Sequence, residues 1–478
     1  MEADLAGQAA GLMQGRLAEA VDYCMAHGLM LHYPGKGWVH APFTLLPAPV
    51  DPEITGQLTA LSWPVNKLIR RVAAEPAFLE ETLAPLARQD PFISRLLALA
   101  RQSSGPALNG RTSQNLFALI QRTDYFLIPR EGLAPRPVQI EINTIAAGYA
   151  ALSGLVNGLH RHLAQGTPWE RKLAVNNPLD KVTRLFVEAF RLYSHPRGMV
   201  VMVVQPEEKN ILDQRHLEFS LARQDIPLVR MTLDEIAAGG RLKDGHLWIG
   251  DRVAALVYFR AGYGPEDMTG GEAWKGRELI EESSAIAIPT AAAQLAGMKK
   301  IQQVLSGPNP QASNGVLARF VDERETRLLA ETFAGNYSPE EEVETPQGRM
   351  PAWKMALTRP DGFVLKPQRE GGGHNLFDEA LVQALEGSTP ASRAPYILMD
   401  RLRPVTHPSL MVRDGILQQG ASATEIGRFG LLLAQGQRVV MNEDAGYLAR
   451  TSLATSRESG VSAGFGHLDS LILQKHTP

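Results

Sequence analysis

The chain has 478 residues, which corresponds to about three domains of ordinary size. Its 48 basic and 51 acidic residues give a formal net charge of −3, so no chain-wide positive field exists to attract nucleic acid or an anionic membrane. The single cysteine, Cys24, excludes an intrachain disulfide and a zinc site built from several cysteines. One cysteine and no apolar run of about 20 residues predict a cytoplasmic protein that does not enter a membrane.

The first 200 residues predict helices followed by a strand. Apolar residues recur at helical spacing up to Gly28 and again over 90–102, which predicts helices that pack on a core. Residues 139–143 alternate between polar and apolar side chains, and this is the pattern of a strand with one buried face. Glu141 and Asn143 therefore lie on the same face of that strand.

The middle of the chain predicts a small α/β domain inserted in a larger one. Two short apolar runs flank a helical segment, which indicates a βαβ unit, and two further strands follow with a turn between them. The predicted elements cover residues 199–204, 213–222, 226–231, 247–249 and 254–259. We therefore predict three parts, at 1–198, 199–303 and 304–478, of which the second is the inserted domain.

The last part combines loops with a second α/β pattern. Residues 307–315 contain two prolines and two glycines, and 337–353 contain three consecutive glutamates, so both are predicted to be solvated connections. A strand, a glycine-rich loop, a helix and another strand follow. These are predicted at 363–366, 366–375, 378–385 and 396–399.

The glycine-rich loop indicates phosphate binding. It reads KPQREGGGHN over 366–375, and consecutive glycines after a strand allow backbone amides to approach a phosphate closely. A surface loop without a ligand is the alternative, and the residue order excludes a P-loop. Lys366 and Glu370 favour the ligand, because they add a cation for phosphate oxygens and a carboxylate for Mg²⁺.

Glu141 and Asn143 supply a second part of the same chemistry. A carboxylate and an amide oxygen side by side are suitable ligands for a hard cation. Half-exposed strands often carry such pairs without a ligand, so the pair alone decides little. Its combination with the glycine-rich loop predicts a site for a nucleotide and Mg²⁺.

The sequence resembles the eukaryotic-type glutathione synthetase family along almost its whole length. The runs that carry the resemblance are QIEIN (139–143), NILDQR (210–215), YFRAGY (258–263), QLAGMKK (294–300), FVLKPQREGGGHN (363–375) and YILMDR (396–401). The resemblance implies an α/β (α+β) ATP-grasp fold with an inserted, doubly wound substrate-binding domain. It also implies an ATP-dependent ligase that joins γ-glutamylcysteine to glycine, acts as a homodimer and binds neither nucleic acid nor membrane.

The resemblance assigns roles to individual residues. The implied Mg²⁺ ligands are Glu141, Asn143 and Glu370, and the implied catalytic residues are Arg450, Lys366 and Glu370. The implied ATP-binding residues are Glu141, Lys299, Lys366, Pro367, Gln368, Arg369, Glu370, Gly371, Gly372, Gly373, His374, Asn375, Met399, Asp400, Arg401, Leu402 and Glu425. The implied residues for the dipeptide and for glycine are Arg122, Glu208, Lys209, Asn210, Gln214, Arg260, Ala261, Gly262, Tyr263, Arg450, Val461 and Ser462.

Several positions depart from the family pattern and leave alternatives open. Ala146 and Gly148 stand where the family has serines, Ala261 replaces an acid, and Phe377 and Ser452 replace a tyrosine and a lysine near the nucleotide. The lost hydroxyl groups each remove a hydrogen bond of about 0.5–1.5 kcal/mol. Two alternatives to glutathione synthesis therefore remain open. One is the same ligation on another γ-glutamyl peptide or amine, and the other is a nucleotide-binding scaffold without turnover.

Overall fold

The computed structural model describes residues 11, 13, 15–103, 115–346, 348–368, 374–457 and 459–475, and it is an α/β structure. The helices are α1 (Leu17–His27), α2 (Pro52–Ala73), α3 (Pro76–Ala87), α4 (Pro91–Ser103), α5 (Ala150–Ala164), α6 (Pro178–Tyr193), α7 (Ile211–Ala222), α8 (Leu233–Gly239), α9 (Gly271–Glu282), α10 (Ala291–Ala296), α11 (Lys299–Leu305), α12 (Glu323–Ala330), α13 (Ala352–Thr358), α14 (Asp378–Leu385) and α15 (Pro390–Arg393). In the described ranges, none of these helices is long and apolar enough to span a lipid bilayer.

The strands alternate with these helices and belong to several sheets. They are β1 (Met30–Tyr33), β2 (Gly37–His40), β3 (Phe43–Thr44), β4 (Ala48–Val50), β5 (Leu116–Arg130), β6 (Leu133–Asn143), β7 (Gly198–Val203), β8 (Leu228–Met231), β9 (Gly240–Lys243), β10 (His246–Ile249), β11 (Arg252–Phe259), β12 (Ile286–Ile288), β13 (Asn336–Tyr337), β14 (Glu342–Thr345), β15 (Gly348–Pro351), β16 (Phe363–Pro367), β17 (Leu376–Phe377), β18 (Tyr396–Asp400), β19 (His407–Arg413), β20 (Ile416–Gln435), β21 (Arg438–Leu453), β22 (His467–Asp469) and β23 (Leu471–Leu473).

The largest sheet has seven strands in the order β19-β3-β22-β21-β20-β5-β6. Its centre is the long antiparallel hairpin of β20 and β21, whose two faces are both buried. Leu432 of β20 belongs to the core that contains α2, whereas Leu431 and Leu433 belong to the core that contains α5 and α6. This alternation follows from the two-residue period of a strand, and it places the sheet between two helical layers.

The second sheet has six strands, in the order β8-β7-β11-β10-β9 with β12 beside β11. Strands β7 and β8 are parallel and are connected by α7, while β10 and β11 form an antiparallel hairpin. The predicted βαβ unit and strand pair are therefore confirmed. The unbroken apolar run of β7 is explained by burial on both faces, since Val200 and Val201 contribute to different cores. The division into three domains stays a prediction.

The third sheet has four strands, in the order β13-β18-β16-β17. The predicted strands at 363–366 and 396–399 pair with each other here, and α14 follows β17 as predicted. Residues 337–353 were predicted to be a solvated connecting loop, but this is wrong in part, because 342–345 and 348–351 pair as the antiparallel strands β14 and β15. Exposed glutamates occupy one face of β14, while Val343 packs toward the core beside β16.

Candidate active site

A cavity of 520 Å³ opens between the four-stranded sheet and the end of the long hairpin. This volume lies within the usual range of small-molecule sites. It collects predicted nucleotide residues from five separate stretches of the chain. Those residues are Glu141, Lys299, Lys366, Pro367, His374, Asn375, Met399, Asp400, Arg401, Leu402 and Glu425. Residues far apart in sequence thus share one cavity.

Glu141 lies on β6 at the inner end of this cavity. Its Oε2 atom is 3.6 Å from Nζ of Lys299, and Nζ of Lys366 donates a hydrogen bond of 3.2 Å to the adjacent backbone oxygen of Ile140. Burial by itself would raise the pKa of Glu141, but the positive charges of Lys299, Lys366, Arg450 and Arg122 lower it to about 2. The carboxylate is therefore ionised at every physiological pH.

Asn143 lies beside Glu141 on the same face of β6, as the alternation predicts. Its side-chain nitrogen donates to Oδ2 of Asp124 at 3.0 Å, which leaves the amide oxygen as the atom that can face a cation. An ionised carboxylate next to an amide oxygen fits the preference of a hard divalent metal. The third predicted ligand, Glu370, lies outside the described residues, as do the loop residues 369–373. Within the described residues, no cluster of three or more acidic, histidine or cysteine side chains could hold a metal.

Arg450 connects the cavity to the centre of the large sheet. It faces Glu425 across the β20–β21 pair, and its Nη2 atom pairs with Glu425 and, at 3.0 Å, with Oδ2 of Asp124. Asp124 is fully buried and also accepts two hydrogen bonds from Arg122, of 2.6 and 2.7 Å. Burial lowers the pKa of Arg450 despite these acids, yet a guanidinium stays charged at neutral pH. Arg122 and Arg450 thus share the carboxylate of Asp124, and Glu425 holds Arg450 from a second side.

A second group of predicted substrate residues lies around the N-terminus of α7. Arg260 donates to Oδ2 of Asp213 at 2.9 Å, and this contact and burial keep the guanidinium in place. Several buried polar atoms of this group have no hydrogen-bond partner among the described residues. They are Nε of Arg260, both side-chain polar atoms of Gln214, Oδ1 of Asn210 and Oε2 of Glu208. Because unpaired buried polar groups are costly, this pocket is suited to a polar ligand. We call it the donor pocket, because the peptide that donates the carboxylate is predicted to bind here.

Gly148 determines how closely Arg260 approaches the loop after β6. A Cβ atom at Gly148 would lie 2.5 Å from Nη2 of Arg260 and 3.4 Å from Nδ2 of Asn210. The guanidinium therefore occupies the space into which a serine at this position would project. Glycine at 148 thus permits the close approach of this charged hydrogen-bond donor to the loop.

The segment 454–466 contacts both groups of residues. Ser459 donates to Glu425, and Ser462 is hydrogen-bonded to the Tyr149 hydroxyl. Burial raises the pKa of Tyr149 to about 12, with the Ser462 contact acting in the opposite direction. The backbone of Tyr149 donates to Asp213 at 2.8 Å. The segment 454–466, called the lid segment below, therefore reaches from the nucleotide cavity to the donor pocket.

Other predicted residues have positions that the sequence did not anticipate. Gln368 is buried and does not line the cavity, because its Oε1 atom accepts the backbone N–H of Lys300 at 2.8 Å. Lys209 is exposed and lies over the Tyr33 ring at 5.9 Å. Ala261 is buried, and the neighbouring backbone N–H groups of Gly262 and Tyr263 donate to Asp267. Val461 is buried beside Ser462.

Three residues of the site were missed by the sequence analysis. Asp124 and Asp213 are buried acids that fix Arg122, Arg450 and Arg260, and Tyr149 contacts the lid segment. Asp124 could have been found, since it lies two residues from Arg122 and so on the same face of a strand. No local pattern distinguishes Asp213 or Tyr149.

Comparisons with known proteins agree with this geometry. Residues 13–473 match the family described as eukaryotic glutathione synthase, ATP binding domain. The glutathione synthetase of Homo sapiens is 36% identical over 465 residues, which cover 94% of this chain and 95% of that protein. The chloroplastic glutathione synthetase of Solanum lycopersicum is 35% identical over 484 residues, which cover 97% of this chain and 84% of that protein.

A solved structure supports the fold independently. The apo form of a glutathione synthetase-like effector from Globodera pallida superposes with a TM-score of 0.75 and covers 96% of each chain, at 19% sequence identity. At this identity the likeness concerns the fold alone. Together with the match along the sequence, it confirms the α/β architecture that the resemblance implied. The chain belongs to the eukaryotic glutathione synthetase family.

Proposed function

We propose that this chain is an ATP-dependent ligase that joins the carboxylate of γ-glutamylcysteine to the amine of glycine. The observation that carries the proposal is the convergence of Glu141, Lys299, Lys366, Glu425 and Arg450 in one cavity next to a separate polar pocket. A nucleotide site and a peptide site side by side are what such a ligation requires. Membership of the family supports the same reaction.

The chemical problem is that a carboxylate is a poor electrophile. In the proposed reaction a carboxylate oxygen of the dipeptide attacks the γ-phosphorus of ATP, ADP leaves, and an acyl phosphate forms. The amine of glycine then attacks the acyl carbon and inorganic phosphate leaves. Catalysis therefore depends on positioning and on charge neutralisation rather than on a nucleophilic side chain.

The charged residues of the cavity perform these tasks in the proposal. Lys299 and Lys366 offset the charge of the phosphate oxygens, and Arg450 orients the donor carboxylate. Asp124 and Glu425 hold Arg450 in place through their ion pairs, so the guanidinium need not reorganise during the reaction.

The divalent metal of the proposal is Mg²⁺. Glu141 and Asn143 would hold it, with Glu370 from the glycine-rich loop. Bound there, Mg²⁺ would supply positive charge that offsets the charge of the phosphate oxygens and favours phosphoryl transfer. The low pKa of Glu141 supports this role, because a metal ligand must be deprotonated at neutral pH.

The donor pocket supports a γ-glutamyl substrate. The ammonium and carboxylate groups of such a donor match the unpaired oxygen atoms of Asn210 and Glu208 and the unpaired Nε atom of Arg260. Arg260 also fills the space opposite Gly148, which favours retention of an anionic donor despite the missing serine. A homodimer in the cytoplasm, without nucleic acid or membrane partners, completes the proposal.

An ADP-release assay tests the proposed function. The full chain is incubated with Mg²⁺, ATP, γ-glutamylcysteine and glycine, and each component is omitted in turn. ADP release should require all four, and the peptide product should appear in equal amount. Faster turnover with another amine would favour an altered acceptor, and ATP binding without ADP release under any combination would favour the scaffold alternative.

A further inference from the structure

An arginine that the family resemblance did not select lies at the rim of the nucleotide cavity. Arg457 lines the cavity with Ser452 and Lys366. It is the only basic residue in the segment 454–466. Its side chain is 57% exposed, so the guanidinium can change rotamer without breaking the core. A cation with this freedom can respond to a ligand.

The present partner of Arg457 is an acid next to Phe377, a residue that lines the cavity. Nη2 of Arg457 is 3.0 Å from Oδ2 of Asp378, the first residue of α14. The other oxygen of Asp378 accepts from Nη1 of Arg401 at 2.6 Å. Two guanidinium groups thus share one carboxylate, and the group of three carries a net positive charge. An exposed ion pair of this kind contributes little stability, so Arg457 can exchange its partner at low cost.

Two other cations of the cavity, Arg450 and Lys299, are more firmly fixed. The Arg450 side chain is only 12% exposed and is paired with Asp124 and Glu425, and Lys299 is buried beside Glu141. A bound ATP adds several negative charges to a cavity in which acids already offset these cations. Ser452 lies in the same cavity but carries no charge, although the family pattern has a lysine there. A cation at this edge of the cavity would restore the charge that the serine does not supply.

We propose that Arg457 leaves Asp378 when ATP binds and donates hydrogen bonds to the phosphate oxygens. Its guanidinium then provides the positive charge that a lysine at position 452 would provide. Asp378 keeps Arg401 as its partner after the exchange. The segment 454–466 is then held by the nucleotide as well as by Ser459 and Ser462. The inference rests on the proposed ATP site.

The test is a calorimetric titration of the full chain with ATP or adenosine in the presence of Mg²⁺, without dipeptide so that no ligation occurs. Arg457→Ala should weaken ATP binding about tenfold, as expected for the loss of one charge-assisted hydrogen bond, and should leave adenosine binding unchanged. Arg457→Lys should retain most of the affinity. Arg349→Ala is the matched control, because Arg349 is also exposed and paired with an acid, Glu344, on the β14–β15 hairpin.

Asp378→Asn distinguishes two roles of Arg457: a contact with the phosphates, and an ion pair that only ties the segment 454–466 to Asp378. Asparagine suits the positive φ of 48° at this position and can still accept from Arg401. If Arg457 acts on the phosphates, Asp378→Asn should bind ATP as well as or better than the wild type, since the competing acid is gone. Equal weakening by Asp378→Asn and Arg457→Ala, or loss of adenosine binding in Arg457→Ala, would overturn the inference.

The titration also separates this inference from the proposed function. A wild-type chain that binds no ATP would refute the ATP site itself. A wild-type chain that binds ATP, together with an Arg457→Ala variant of the same affinity, would refute only the role of Arg457.

Discussion

The nucleotide cavity and the donor pocket differ in how far their buried polar groups are paired with one another. In the cavity the charged groups pair with one another, as Arg450 does with Asp124 and Glu425. In the donor pocket Gln214 is fully buried while neither of its side-chain polar atoms has a partner among the described residues. Among the described residues the first region pairs most of its charged groups without a ligand, with the Nε atom of Arg450 as an exception, whereas in the second region unpaired polar atoms predominate and carry a free-energy cost until a polar ligand binds.

This difference predicts different consequences of substitution. Changes in the paired region should reduce the rate of the chemical step, because they alter charges aimed at the reacting groups. Changes in the unpaired region should weaken binding of the donor and, at the same time, stabilise the ligand-free protein. Substitutions in both regions therefore test whether this difference is real.

The largest effect is expected for Glu141→Gln. This variant removes the charge that faces Lys299 and the proposed metal, so turnover should fall by about 10²–10³. Steady-state rates at several Mg²⁺ concentrations measure it, with circular dichroism to check the fold. The control is Glu344→Gln, which removes an exposed charge on the β14–β15 hairpin. Turnover of Glu141→Gln within a factor of two of the wild type would show that the carboxylate has no role in the reaction.

A smaller effect of another kind is expected for Gln214→Leu. The KM for the dipeptide should rise about tenfold or more, because a polar contact worth about 1–3 kcal/mol is lost. The ligand-free variant should melt at a higher temperature, because the unpaired amide is gone. The control is Gln224→Leu, at an exposed position just beyond α7. A lower melting temperature together with an unchanged KM would contradict the description of this pocket as an unpaired site.

A third prediction concerns Asp469, a buried acid behind the site. Thr44 and Thr451 each donate to it at 2.6 Å. Burial nevertheless raises its pKa to about 7. Its unfolded pKa is about 3.9, so between these values the folded state binds more protons and stability falls as the pH rises. Above pH 7 this loss is complete.

Asp469→Asn should remove this pH dependence. The stability of the wild type relative to the variant should decrease by about 1–3 kcal/mol between pH 4.5 and pH 8, measured by urea denaturation. His160 and His467, whose pKa values burial lowers to about 4, act in the opposite direction, since they destabilise the fold as the pH falls. Both proteins contain these histidines, so the difference isolates Asp469. Parallel curves would contradict the raised pKa.

The smallest effect is expected for Tyr149→Phe, which removes one hydrogen bond between the loop after β6 and the lid segment. The loss of about 0.5–1.5 kcal/mol should raise the KM for the acceptor amine severalfold with little change in the KM for ATP. A double-mutant cycle with Ser462→Ala measures the pair directly. Additive effects of the two substitutions would show that the hydrogen bond does not contribute to closure.

Much of the fold could be predicted because strong local patterns agree with it. The alternation of 139–143 and the apolar run of β7 correctly indicate strands, and α14 begins and ends where predicted. The hairpin over 342–351 was missed, because its glutamates lie on an exposed strand face and conceal the alternation with Val343. Charge identifies an exposed surface but does not exclude a strand.

The site was predictable where a short motif carries it and not where a distant contact does. Glu141, Asn143 and Lys366 were found from strand spacing and a glycine-rich loop. The roles of Asp213 and Tyr149 depend on contacts with Arg260 and Ser462, and Tyr149 is 313 residues from Ser462. These contacts form only in the folded structure, and no local sequence pattern indicates them.

Transfer of oxygen from the dipeptide to phosphate is the decisive experiment for the proposed acyl phosphate. The dipeptide is labelled with ¹⁸O in its cysteinyl carboxylate and incubated with Mg²⁺, ATP, glycine and the enzyme, and the inorganic phosphate is analysed by mass spectrometry. Activation of the carboxylate by ATP predicts one ¹⁸O atom in each phosphate released during ligation. Phosphate without the label, at a time when the peptide product accumulates, would contradict the acyl phosphate and with it the proposed roles of the charged cavity.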